Sequence, residues 1–458
     1  MEIRSSTAIR PSSSDLWFLA YLPVAVSDGI ATPLIPLLAL QHFQATAFVV
    51  TIIIAASAMS QVPFTIVWGN LSDRVAHRKY FLVGSFLATG VSLVLIAFAQ
   101  DVMTYFWLNV VEGLACAASA PIGTMLLLET RRKRWWPQDI GLFGLISGVG
   151  TTVGLGVGFV WLFVLQIHQT AVQVMSALLV VSGLLALLSA FLALAWIEEP
   201  AVRLERRALG DLINLHRGIV ERIRHVRNRI LNVIDLTRPS PGRIPRKEVL
   251  FLVALGVMTV GFDAFYGPFP VFLNRSLQLN DAAIFIVYLS ASATSTALFF
   301  HSGKYVEHHS PKIVFLQSLG GRVLLLGMFL WGPLYVLFGL GSPALVAWMT
   351  LLNGLMGVTW AFLSTASTLF LVRMVGRSAR GQALGLYNAI AGAGGLVGTL
   401  LGGFLYADFG VGWAYGVAAV AVLVGAAMLL PIPFHTFLPT AFRRRAPMRA
   451  IPAATPRT

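Results

Sequence analysis

Gly69-Asn70-Leu71-Ser72-Asp73-Arg74-Val75-Ala76-His77-Arg78-Lys79 is a short polar stretch between two long apolar runs. Gly69 makes a tight turn cheap. Asp73 and Arg74 are adjacent opposite charges, and Arg78 and Lys79 open the next apolar run. In a water-soluble chain this would be an ordinary solvated loop. Between two membrane-crossing helices it becomes a basic connector of the kind retained in the cytoplasm.

Composition decides between these readings. Hydrophobic residues make up 57% and charged residues 11% of the 458 positions, and mean hydropathy is +0.78. A soluble domain carries about 25% charged residues. Length alone would predict about three soluble domains. Repeated apolar runs of about 20 residues override that, because each is long enough to cross a ~30 Å hydrocarbon core. Cys116 is the single cysteine and lies in an apolar run, so no intramolecular disulfide is expected. The first apolar run, from Leu16, is too long for a secretory signal and lacks a clear cleavage site. The sequence carries no nucleotide-binding P-loop, no metal-ligand cluster and no convincing nucleophile–base pair. An enzyme is therefore the least expected class, and no cofactor or metal is expected.

Spanning helices are predicted at 16–39, 46–68, 80–99, 103–128, 139–166, 172–197, 249–273, 282–302, 313–339, 344–372, 382–406 and 412–434. Twelve crossings place both termini on one side. Connectors on that side hold Arg74, Arg78 and Lys79; Arg131, Arg132, Lys133 and Arg134; Lys304 and Lys312; and Arg373, Arg377 and Arg380. Arg275 alone lies in an opposite-side connector, so both termini are expected in the cytoplasm. The net charge of +14 then reports topology and not nucleic-acid binding. The expected organisation is an N-terminal tail at 1–15, a six-helix half at 16–197, a basic loop at 198–248, a second half at 249–434 and a basic tail at 435–458.

The two halves repeat. Asp28 and Pro33 correspond to Asp263 and Pro268, and Gly69, Leu71 and Asp73 to Gly303, Tyr305 and Glu307, at a spacing of about 235. Gln138, Gly141, Leu142, Ile146, Gly148, Val153, Gly154 and Gly158 recur as Gln382, Gly385, Leu386, Ile390, Gly392, Val397, Gly398 and Gly402, each pair 244 apart. Transporters are commonly built from such repeats, with the substrate near mid-membrane between them.

The stretch 69–79 also resembles the signature loop between helices 2 and 3 of the major facilitator superfamily, roughly G-x-L-x-D-R-x-G-R-R/K. Gly69, Leu71, Asp73, Arg74, Arg78 and Lys79 match; Ala76 stands where a glycine is usual and His77 where a basic residue is usual. The resemblance covers all but the tails and the central loop. It implies twelve helices, alternating access and a central cavity lined by helices 1, 4, 7 and 10. It further implies that Asp73 contacts the start of helix 11 near Gly381 and Gln382, and Arg131 or Arg132, while the cytoplasmic side is closed. Drug/proton antiporters of the superfamily carry a Gly-Pro pair in helix 5, whereas Thr151 follows Gly150 here.

Gly150, Gly154 and Gly158, and likewise Gly394, Gly398 and Gly402, put a hydrogen at every fourth position of segments 5 and 11. Such faces let helices approach closely in lipid. In the central loop, Leu209, Leu212, Ile213, Ile219, Ile223, Val226, Ile230 and Val233 recur at helical spacing among many arginines. That pattern fits a helix lying on the anionic inner leaflet, or a linker helix packed under the bundle.

Charges inside spans are costly and default to functional candidates. Asp28, Glu112 and Asp263 are the acids placed deep within segments. Asp28 lies roughly 18 Å into its helix. Glu112 shares a stripe with Asn109, Cys116, Ser119 and Gly123, which turns it towards protein or cavity. Such carboxylates could exchange protons or pair with a cationic solute; a structural role, tied to Arg322 or neighbouring hydroxyls, is the alternative. Tyr266 and Trp360 could supply aromatic walls. The expected function is secondary transport of a small organic solute, coupled to protons, as efflux from the cell (plasma or inner) membrane by a monomer. The alternatives are proton-coupled uptake of a sugar or organic acid, and a non-transporting receptor or scaffold.

The charge asymmetry predicts that a tag at either terminus stays unlabelled by membrane-impermeant reagents in intact cells and becomes labelled after permeabilisation. Labelling in intact cells overturns this orientation.

Overall fold

A computed structural model describes residues 18–75, 78–119, 122, 123, 126, 136–166, 169–197, 246–331, 342–374 and 380–431. Both tails, nearly all of the 198–248 loop and the tip of the 69–79 stretch lie outside the described residues. Twelve helices carry the fold: α1 (Leu22–His42), α2 (Ala47–Val75), α3 (Arg78–Ala97), α4 (Val102–Cys116), α5 (Trp136–Leu165), α6 (Ala171–Trp196), α7 (Arg246–Tyr266), α8 (Asp281–His308), α9 (Pro311–Leu330), α10 (Ser342–Met374), α11 (Arg380–Phe409) and α12 (Val411–Leu429). Among the described residues there is no strand. Eleven helices are long and apolar enough to cross a membrane; α4 is shorter in its described part.

Several helix ends have local causes. Asp101 caps α4, accepting from the Thr104 N–H at 2.8 Å and from Thr104 Oγ1 at 2.6 Å, and these bonds hold its carboxyl below the usual carboxylate range. Asn280 caps α8 through the Ala283 N–H. Gly410 separates α11 from α12 with φ +85°, a conformation that a β-carbon disfavours.

Two expectations are corrected. The stretch from Gly69 does not turn: α2 runs unbroken through it to Val75. A glycine costs a helix about 1 kcal/mol, less than leaving several peptide groups unbonded at a membrane boundary. Segment 7, expected to be continuous over 249–273, stops at Tyr266. Pro268 lacks an N–H, and the chain resumes as one α turn, Phe269–Val271, followed by a π turn, Phe272–Ser276. Buried rings lock the break: Phe265 packs on Phe329 of α9 at 5.1 Å and on Tyr415 of α12 at 4.5 Å, and Phe272 reaches Tyr415 at 5.1 Å.

Helix packing follows the sequence repeat. α1 packs on α5 and α6, α2 on α4, and α3 on α4 and α6. Correspondingly α7 packs on α11 and α12, α8 on α10, and α9 on α10 and α12. The halves meet through α5 with α8 and α2 with α11. Even the loops repeat. Gln44 and Gln278, 234 residues apart, have φ of 50° and 54°. Their amides donate to the carbonyls three residues back, at 3.0 Å and 2.7 Å.

The glycine rows set close contacts between helices. A β-carbon at Gly150 would lie 2.5 Å from Ala25 Cβ, and one at Gly154 would strike the Val26 carbonyl, both on α1. Gly394, Gly398 and Gly402 stand in the same way against Thr259, Val260 and Ala264 of α7. Gly158 leaves its row and meets Phe285 of α8, across the interface of the halves. By contrast, a β-carbon at Gly156 would touch nothing within 4 Å.

Gly154→Ala is therefore expected to destabilise the protein by about 1–3 kcal/mol through overpacking. Gly156→Ala, two residues away, should stay within about 0.5 kcal/mol or stabilise slightly. Thermal unfolding of the purified protein in detergent checks the contrast; equal midpoints overturn it.

Candidate functional site

A cavity of about 660 Å³ lies between the halves, within the range of small-molecule sites. The first half contributes Thr32 of α1, Ile54 and Gln61 of α2, and Thr151 of α5. The second half contributes Asp263 and Tyr266 of α7, Tyr288 of α8, Arg322 of α9, Trp360 of α10 and Thr399 of α11. Four of the residues singled out from sequence, Asp263, Tyr266, Arg322 and Trp360, thus share one wall. Helices 1, 7 and 10 line the cavity as the resemblance implies, but α4 supplies none of the described lining residues. α2, which packs on α4, takes its place.

Arg322 lies midway along α9 and is only 3% exposed. Its guanidinium carbon sits 4.5 Å from the centre of the Phe262 ring, 5.2 Å from that of Trp360 and 6.0 Å from that of Tyr266. Tyr266 and Asp263 both stand close enough to interact with it electrostatically. Among the described residues no close ion pair joins Asp263 to Arg322, and Arg322 Nε has no hydrogen-bond partner. Cation–π contacts give roughly 2 kcal/mol each when dry, whereas burying an ion costs several kcal/mol. The aromatic cage offsets only part of that cost, and the Asp263 charge adds to it. α7's break places Asp263: a β-carbon at Gly267 would lie 3.0 Å from Thr399 of α11, and the Asp263 carboxylate lies against Gly395.

Asp28 and Glu112 form a second cluster beside the cavity. Ser27 bonds Ser182 of α6 and Gly29 abuts Thr151 of α5. Asp28 is left on the face of Thr32, whose hydroxyl donates to the Asp28 carbonyl at 2.7 Å. Asp28 interacts electrostatically with Glu112. Ser57 Oγ donates to Glu112 Oε2 at 2.9 Å, Cys116 stands near the same carboxylate, and Thr89 Oγ1 donates to Cys116 Sγ at 3.7 Å. Gly123, on the stripe read from sequence with Glu112, does face protein: a β-carbon there would strike Oη of Tyr21, the residue before α1.

Residues 17–321 and 320–454 match the sequence profile of the Major Facilitator Superfamily. The chain belongs to the major facilitator superfamily. It is 23% identical over 210 residues to the human MFS-type transporter SLC18B1, a match spanning 43% of this chain and 42% of that protein, so less than half of the relative's length. In fold it is similar to a crystal structure of a mutant peptide transporter POT, with a TM-score of 0.69, 13% identity and coverage of 92% of this chain and 94% of that one. It is likewise similar to a D-xylose–proton symporter, with a TM-score of 0.65, 14% identity and coverage of 90% and 96%.

Gly69, Leu71, Asp73 and Arg74 lie on α2, but their side chains, and those of Arg131, Arg132, Gly381 and Gln382, lie outside the described residues. Arg78 is buried at the start of α3. At the opposite end of the bundle the halves are joined by contacts that sequence reading missed. Asp281, opening α8, accepts from Gln41 Nε2 at 2.5 Å and from Gln166 Nε2 at 2.7 Å, at the ends of α1 and α5. Arg275 Nη2 donates to the Ala45 carbonyl at 2.8 Å. Asp281 follows the Asn280 cap, so in sequence it reads as an ordinary first-turn acid. Further in, Thr152 and Ser292 share a hydrogen bond at 2.8 Å.

Asp281→Ala removes the acceptor of two charge-assisted bonds, each worth about 1.5–3 kcal/mol. In a Cys116→Ser, Ala291→Cys background, it is expected to raise labelling of the cavity cysteine by an impermeant thiol reagent added to intact cells at least tenfold. Unchanged labelling removes the latch role.

Proposed function

We propose that this superfamily member carries a small organic solute through the cavity between its halves by alternating access, coupled to protons. The observation that carries this is the placement of titratable groups: Asp263 in the cavity wall, and Asp28 one helical turn from the lining residue Thr32, with Glu112 beside it. A mid-membrane carboxylate held permanently charged costs several kcal/mol unless paired. Alternating between protonated and ionised forms lowers that cost and ties charge to conformation. A protein with the same fold is named a proton symporter, which makes this coupling compatible with the architecture.

In this reading the Asp281 and Arg275 contacts close the outer side, and both termini and the 69–79 motif face the cytoplasm. The protein acts as a monomer in the plasma membrane, with its basic connectors and central loop against the anionic inner leaflet and no nucleic-acid partner. Efflux is favoured by the apolar share of the walls, which include Ile54, Leu155, Phe262, Met356 and Leu396. Uptake of an organic acid with protons is the second reading, and Arg322 is the observation that favours it.

Asp28→Asn, Glu112→Gln and Asp263→Asn test the coupling in proteoliposomes. The amide of the coupling acid is expected to abolish flux driven by a pH gradient and to leave solute exchange largely intact. Normal gradient-driven flux in all three single variants overturns proton coupling through these acids.

A further inference from the structure

We propose that the cavity recognises its solute by a carboxylate, held by Arg322, with an apolar or aromatic body lying against Phe262 and Trp360. The inference rests on the transport reading above and names the solute class of the same site. A guanidinium presents a planar fork of donors that matches two carboxylate oxygens. Arg322 is almost wholly buried, yet its Nε carries no hydrogen bond. Native proteins seldom leave a buried donor unmatched, and its neighbours do not supply the match. Phe262 and Trp360 surround the guanidinium with rings, which offer Nε no lone pair in their plane. The Tyr266 ring lies 6.0 Å away, and Asp263 stands too far for a close pair.

The guanidinium is therefore a charge fixed in place and incompletely satisfied, at the wall of a space large enough for a small solute. Nε is shut off from water in this state. A small shift within the aromatic cage turns the Nε edge towards the cavity, and an entering carboxylate then meets Nε with one oxygen and the neighbouring Nη with the other. A cationic solute meets the opposite situation. It would have to approach Asp263 beside a guanidinium that repels it.

Asp263 and the solute's carboxylate also compete for the same cation. Substitutions on the two sides of this competition must act in opposite directions. Loss of Arg322 weakens anion binding, and neutralisation of Asp263 strengthens it. A purely structural role for both residues would make both variants bind less.

The test uses the full-length purified protein and three probes with the same aromatic body and different charge: benzoate, benzamide and benzylamine. Binding is measured by calorimetry. Wild type is expected to bind benzoate at least tenfold more tightly than benzamide, with benzylamine weakest. Arg322→Gln should erase the preference for benzoate over benzamide. Asp263→Asn should raise benzoate affinity several-fold. Should Arg322→Gln not fold, Arg322→Lys decides in its place, since it keeps the charge but loses the fork and should lower benzoate affinity. Equal binding of benzoate and benzamide, preference for benzylamine, an Asp263→Asn variant weaker for benzoate, or no binding of any probe overturns the proposal. If amines nevertheless drive proton flux in wild-type proteoliposomes, transport stands and only the anionic class falls. If solutes of no charge type drive flux or exchange, the transport reading itself falls.

Discussion

Inside a bilayer no water is available to a peptide group, so each crossing must close its own hydrogen bonds as a helix. Lipid tails are as apolar as leucine, and helices then gain by packing closely more than by hiding apolar surface. In this chain, glycine supplies that closeness at two related places, α5 on α1 and α11 on α7. Those contacts position the cavity. Thr151 sits behind Gly29 on one side, and Thr399 sits behind Gly267 on the other, and both threonines line the central space.

The same lack of water makes charge scarce and gives each intramembrane charge consequences. Arg322 is held among rings, with Asp263 contributing field and no close pair. Asp28 and Glu112 repel each other, while Ser57 donates to Glu112. Two unlike arrangements therefore flank one cavity: a carboxylate pair in the first half, and a carboxylate–guanidinium pair in the second. The halves share a fold and have diverged in the chemistry they bring to the centre.

The interface between halves is graded along the bundle. At the Asp281 end it is polar and directional, with glutamine amides and Arg275 reaching across. Towards the middle it becomes a set of small-residue contacts, such as Gly148 against Thr296 and Gly392 against Val62. Hydrogen bonds to a carboxylate define one closed geometry. Smooth glycine contacts tolerate sliding.

Much of this was legible in the sequence. Hydropathy marked the twelve segments, because a crossing needs a fixed length of apolar chain. The repeats at spacings of about 235 and 244 marked the two halves, and the four-residue glycine rows marked the close faces. Asp28, Glu112, Asp263 and Arg322 stood out because charge in an apolar run is rare. Other features were settled only by tertiary structure. Asp28–Pro33 and Asp263–Pro268 have the same pattern, yet α1 runs through Pro33 while α7 breaks at Gly267 and Pro268. Packing on Phe329 and Tyr415 gives the second break a place to go. Glycine spacing placed Gly158 with Gly154, whereas the structure turns it to Phe285. The partners of Arg322 and Asp281 lie tens to hundreds of residues away in the chain. Local composition determines that a segment crosses the membrane and which side chains are costly there. Which of those side chains meet is a property of how the helices pack, because each contact joins residues that no local pattern relates.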